Sequence, residues 1–147
     1  EARGSVTAEI VESGYDEITL TGRLATLFQQ EAPPTAFVAA NNTIAAWLLR
    51  ALRKLGISYP GDVSVMAFGE PEWADLVTPQ LSVVRQPTGE IARSAWELLI
   101  RRMSEESAAI RQIELKAEIV MRDSVAPIRL RLGESADRHG PAERPAD

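Results

Sequence analysis

Residues 36–70 constrain the fold more tightly than any other stretch of the chain. Residues 36–40 form a short apolar run that stops at Asn41-Asn42. A helical pattern follows, with Ile44, Leu48, Leu49, Ala51, Leu52 and Leu55 recurring at spacings of three and four on one face. Gly56 is placed to end that helix, because it tolerates the positive φ that follows a last helical turn. Pro60-Gly61-Asp62 turns the chain, and residues 63–68 are a second apolar run, too uniformly apolar for a strand with one wet face. Two such strands joined by a helix make a right-handed βαβ unit with parallel strands covered on both faces. Ligands of such sheets sit beyond the carboxyl ends of the strands, here Asn41-Asn42 and Gly69-Glu70.

The remainder of the chain extends this unit. Residues 6–11 have the character of a strand, and residues 13–16 read as a loop. Thr21 is placed to cap a helix from 22 to about 30, with Leu24, Leu27 and Phe28 as its apolar stripe. Pro33-Pro34 stops that helix. The alternation of strand and helix predicts an α/β fold, a parallel sheet flanked by helices. After Gly69 come one possible helical turn at 73–76, a strand at 81–84 and a connector at 85–87. An amphipathic helix is predicted over 88–103, with Ile91, Ala95, Leu98, Leu99 and Met103 inward and Arg101-Arg102 at its C-terminal end, where cations suit the helix dipole. Residues 113–121 alternate Ile113, Leu115, Ala117, Ile119 and Met121 with mostly charged neighbours, the pattern of an edge strand. Residues 128–147, rich in Gly, Pro and charge, read as a disordered tail.

Composition narrows the function. Of 147 residues, 45% are hydrophobic and 25% charged, a soluble globular balance with enough chain for one real core. Acidic residues outnumber basic ones 21 to 16, for a net charge of −5, which opposes a nucleic-acid surface made by these residues. There is no cysteine, so disulfide and thiolate chemistry are excluded. No apolar run approaches the ~20 residues needed to cross a membrane. No signal peptide is visible, and a start at Glu1 fits a fragment or a processed product. The single histidine, His139, lies in the tail, and no Cys or His set has metal-ligand spacing. Neither a phosphate loop nor a nucleophile elbow appears, so the chain reads as a non-enzyme without metal or cofactor.

Residues 33–70, 73–99 and 118–127 together resemble the effector-binding domain of the lactose-repressor (LacI) family of bacterial transcription regulators. The resemblance rests on Pro-Thr-Ala leading into Ala-Asn-Asn at 34–42, Asp62-Val63-Ser64-Val65 leading to Phe68-Gly69, Thr78-Pro79 through Gln86-Pro87, and the closing Arg122-Asp123-Ser124. It implies a type I periplasmic-binding-protein-like lobe, here incomplete. Residues 1–87 would be part of the C-terminal sensor lobe, 88–103 a helix of the N-terminal lobe and 112–127 a returning edge strand. It also implies a small-molecule effector, a sugar or nucleobase, bound in the cleft between the lobes. Operator DNA would be reached only through an N-terminal helix-turn-helix headpiece that has no counterpart in these residues. A cytoplasmic homodimer is implied as well. A solute-binding protein of a transport system shares the two-lobed plan and is the alternative.

Carried over residue by residue, the resemblance assigns Asn41 to the effector, and capping of the following helix is an equally good reading of the same side chain. Asn42 stands where the family has Asp, and either residue serves as a helix cap. At Gly69 the family has a cleft carboxylate, which this chain lacks. Glu70 is the neighbouring substitute, although a shift of one residue reverses a strand side chain's direction. Tyr15 stands near an aromatic that stacks on effectors, Gln86-Pro87 marks the hinge crossover, and Ala46, Trp47 and Arg50 fall on the helix that contributes to the dimer contact.

Overall fold

A computed structural model describes residues 8–14, 16–104 and 110–127. The elements run α1 (Glu17–Leu27), β1 (Ala36–Ala39), α2 (Asn42–Lys54), β2 (Ser64–Phe68), β3 (Ser82–Arg85), α3 (Thr88–Ser104) and β4 (Glu118–Val120). They form one four-stranded sheet in the order β1-β2-β3-β4. β1, β2 and β3 are parallel, whereas β4 returns antiparallel beside β3, so the sheet is mixed rather than wholly parallel. The strand–helix–strand unit forms as its pattern predicts. α2 buries Ala45, Leu48, Ala51 and Leu52 against Val65 and Ala67 of β2. It ends as Gly56 requires: φ at Gly56 is +70°, Gly56 N–H donates to Arg53 O, and Ile57 N–H reaches back to Leu52 O at 2.9 Å.

α1 and α2 lie on one face of the sheet, where Phe28 at the end of α1 meets Phe37 of β1 with ring centroids 6.0 Å apart. Among the described residues nothing covers the other face, contrary to the expectation of cover on both sides. Val38 is 69% exposed and Phe68 44% exposed there. α3 forms where its periodicity places it, but it buries no residue and contacts no other helix or strand of the described structure. Its apolar stripe is therefore presented to solvent.

Four local expectations are corrected. Residues 8–11 of the first predicted strand pair with no described residue: Ile10 is 91% exposed and only Val11 touches the core, too little burial to offset ordering an extended segment. The cap of α1 is Asp16, whose carboxylate accepts from Thr19 N–H at 2.8 Å, while Thr21 lies inside the helix with its hydroxyl on Glu17 O. The edge strand shrinks to Glu118–Val120, and its alternation leaves Ile113, Ile119 and Met121 exposed. Beyond Arg85 the chain leaves the sheet for α3, so residues 113–117 have no strand left to pair with. Asn41, not Asn42, caps α2, its side chain accepting from Ile44 N–H at 2.9 Å. The tail at 128–147, Tyr15 and His139 lie outside the described residues.

The returning segment after β4 stitches the lower end of the sheet. β2 begins two residues before β3 joins it, and the gap is taken by Ser124. Its backbone carbonyl accepts from Val65 N–H at 2.8 Å, its hydroxyl donates to Val65 O at 2.6 Å, and the same oxygen accepts from Ser82 N–H at 2.7 Å. Ser124 is fully buried, so these bonds replace water outright.

Candidate functional site

A cleft of about 720 Å³ opens at the carboxyl ends of β1, β2 and β3, where a parallel sheet is expected to offer a site. Asn41 and Asn42 reach it because β1 ends in an abrupt turn and α2 starts immediately. Ile44 and Trp47 follow at the next turn of the same helix face. Phe68, Gly69 and Glu70 enter from the end of β2, and Arg85 and Gln86 from the exit of β3. The structure thus brings Asn41, Gly69, Glu70 and Gln86 together. Pro87 lies just past the lining, with its carbonyl accepting from Ile91 N–H at 2.9 Å to start α3.

The three residues assigned to the dimer contact do not share one surface. Trp47 lines the cleft, whereas Ala46 and Arg50 face a second groove of about 630 Å³ with Leu49, Tyr59 and Trp73. The reason is helical phase: adjacent positions 46 and 47 point about 100° apart. Arg50 is also held toward α1 by Glu17, at 3.3 Å, which Lys54 joins at 2.6 Å.

Both carboxylate oxygens of Glu70 are engaged within the fold. Its two oxygens receive a fork from Arg85, Nη2 to Oε1 at 2.8 Å and Nε to Oε2, and Arg122 Nη2 joins at Oε1. Arg85 Nη1 also reaches Glu118 at 3.2 Å, and Arg122 Nη1 donates to Leu81 O at 2.8 Å. The knot ties the end of β2 to β3, to β4 and to the segment after β4. The Arg85 guanidinium first, and Arg122 second, hold the Glu70 carboxyl down from the ordinary 4.5 to about 2. Arg85 and Arg122 carried no local sequence signal for this role, since one ends β3 and the other follows β4 by two residues, positions where a solvated cation is ordinary.

A depressed carboxyl pKa stabilises the folded state above the unfolded value and loses that contribution as pH falls toward the folded value. The urea midpoint is therefore expected to drop between about pH 4.5 and about pH 2, with Asp16 and Glu17 adding slope in the same direction through Thr19 and Lys54. Glu70→Gln is expected to flatten that drop. An unchanged acid limb in the variant would show that the knot contributes nothing.

Gly69 departs furthest from a generic strand end. Its φ is +97°, a region L side chains rarely adopt, and a Cβ there would lie 2.7 Å from Asn42 Oδ1. The Asn42 side chain fills the space that a side chain at 69 would need. Among the described residues no group of His, Cys, Asp or Glu is arranged to hold a metal, and no helix is long and apolar enough to cross a membrane.

An α/β sheet with a cleft at its strand ends and crossover strands at its edge defines a periplasmic-binding-protein-like lobe. The periplasmic binding protein-like domain family matches residues 2–125, and the chain belongs to it. A probable opine utilization operon repressor of Rhizobium rhizogenes is 36% identical over 118 residues, which cover 80% of this chain and 60% of that protein. The HTH-type transcriptional repressor PurR of Vibrio atlanticus is 31% identical over 116 residues, 79% of this chain and 35% of that repressor. A LacI family transcriptional regulator from Enterococcus faecalis, solved with bound ribose, shares the fold with a TM-score of 0.70 at 23% identity, over 81% of this chain and 44% of that one. Within the broader family, the relatives place the chain with the effector-binding domains of LacI-type regulators. It spans 60% of the length of the first of these proteins, 35% of the second and 44% of the third.

Proposed function

We propose that the chain is the effector-sensing C-terminal lobe of a LacI-type transcription regulator, and that the cleft at Asn41, Gly69 and Gln86 is one wall of its effector site. The observation that carries this reading is the coincidence of that cleft with the exit of β3 and the return of β4. A ligand held at the strand ends sits directly against both strands by which the chain leaves and re-enters the lobe. α3, with its unpaired apolar stripe, belongs to the facing lobe, and Gln86-Pro87 is the hinge between the two. The open sheet face at Val38 and Phe68 takes the rest of the complete lobe.

An effector such as a sugar or nucleobase that contacts both walls favours the closed arrangement by its differential affinity for it, and operator binding by a headpiece elsewhere in the protein responds to that shift. The groove at Ala46, Arg50 and Trp73 is the surface for a second copy in a cytoplasmic homodimer. The test is calorimetry of the intact regulator against a panel of sugars and nucleobases. Saturable binding to one of them is expected, weakened by replacement of Gln86 or Asn42. The chain by itself, with one wall, is expected to bind far more weakly. A regulator that binds none of the panel, or a lone chain that binds at micromolar concentration, would refute the two-walled reading.

A further inference from the structure

The cleft's polar groups divide into those already committed and those left open. Among the described residues, Glu70 and Arg85 bring the only charges to the lining, and each is spent on the other and on Arg122 or Glu118. The Asn41 side-chain oxygen is spent on the cap of α2. The Asn42 carboxamide is different: no hydrogen bond engages it among the described residues, it is exposed to the cleft, and it lies over the bare backbone of Gly69. The positive φ of Gly69 and its missing Cβ leave the space that this amide occupies. Beside it, Ile44, Trp47 and the half-exposed Phe68 make the apolar part of the wall.

A primary carboxamide presents a donor and an acceptor side by side, which match the N–H and C=O of a cis-amide edge in two parallel bonds. A polyol would be better served by an open carboxylate, which this wall lacks. A cationic or anionic group would have to displace one half of the Glu70–Arg85 fork, leaving the other charge unpaired. We infer that Asn42, seated over Gly69, is the specificity-determining residue of this wall, and that it selects an uncharged, flat ligand with a lactam or carboxamide edge whose ring lies against Trp47 and Phe68. The inference rests on the effector-site reading above and narrows its ligand class.

The test is nuclear magnetic resonance titration of the isotope-labelled chain with four probes: 2-pyridone, ribose, benzoate and benzylammonium. These are a flat neutral lactam, a neutral polyol, a flat anion and a flat cation. Expected are saturable shifts of the Asn42, Thr43 and Gly69 amides with 2-pyridone, unchanged from about pH 5 to about pH 9 because no lining group titrates there. Asn42→Ala should weaken 2-pyridone about tenfold, the loss of one paired edge, while the spectrum keeps its dispersion. Asn42→Asp, which keeps the shape and removes the donor, should do the same. Equal or tighter binding of ribose, benzoate or benzylammonium in the cleft, or an unchanged affinity in Asn42→Ala, overturns the inference and leaves the effector-site reading standing. Shifts by none of the four also overturn the inference, while the two-walled reading is decided separately by the calorimetry of the intact regulator.

Discussion

Leu52→Ala is expected to destabilise the chain by about 3–5 kcal/mol, enough to unfold much of it at room temperature. Leu52 is wholly buried in the one core cluster that also holds Ala45, Leu48 and Ala51 of its own helix and Val65 and Ala67 of β2. Truncation removes about three methyl-sized groups and leaves a cavity that two rigid elements cannot close. The second sheet face is open, so no second apolar layer shares the load. Urea unfolding followed by circular dichroism reads the effect directly. Leu49→Ala, at a half-buried position on the same helix, is the control and should cost about 1 kcal/mol. Equal losses at the two positions would mean that the core is not centred where the structure puts it.

Ser124→Ala carries the second large effect, about 2–3 kcal/mol, although it deletes a single oxygen. That oxygen serves Ser82 N–H and Val65 O, and both would remain buried with no water to replace it. The backbone bond from Val65 N–H to Ser124 O survives, so the segment stays in place and the penalty is that of unsatisfied groups rather than of collapse. Faster hydrogen exchange at the Ser82 amide should accompany the loss. A change below about 0.5 kcal/mol would show that the hydroxyl is dispensable.

These two positions mark what was legible in the sequence. Leu52 announces itself: it lies on a stripe repeated every three or four residues, and Gly56 tells where the stripe stops. Ser124 belongs to the closing motif of the resemblance but announces no buried role, because a serine just past a strand is equally at home in water. The same contrast runs through the cleft. Asn41 could be placed at the end of β1 from the break between an apolar run and a helical period. The commitment of its side chain to Ile44, and of Glu70 to two arginines 15 and 52 residues away, could not be read locally. The cap of α1 was misplaced for a related reason. Asp16 and Thr21 are both good capping residues, and the earlier start also brings Glu17 within reach of Lys54 and Arg50 on α2.

The strand–helix–strand unit around residues 36–70, its crevice at residues 41 and 69, and the amphipathic period of α3 were determined by the sequence alone, since each follows from periodicity and from residues with restricted or permissive φ. Only the tertiary structure decided which apolar faces were covered, where β4 ended and which polar groups in the cleft stayed free. Those outcomes depend on partners distant in the chain. A strand needs a ladder to join, a carboxylate goes to the nearest cation, and Gly69 leaves room that only a neighbour such as Asn42 can fill.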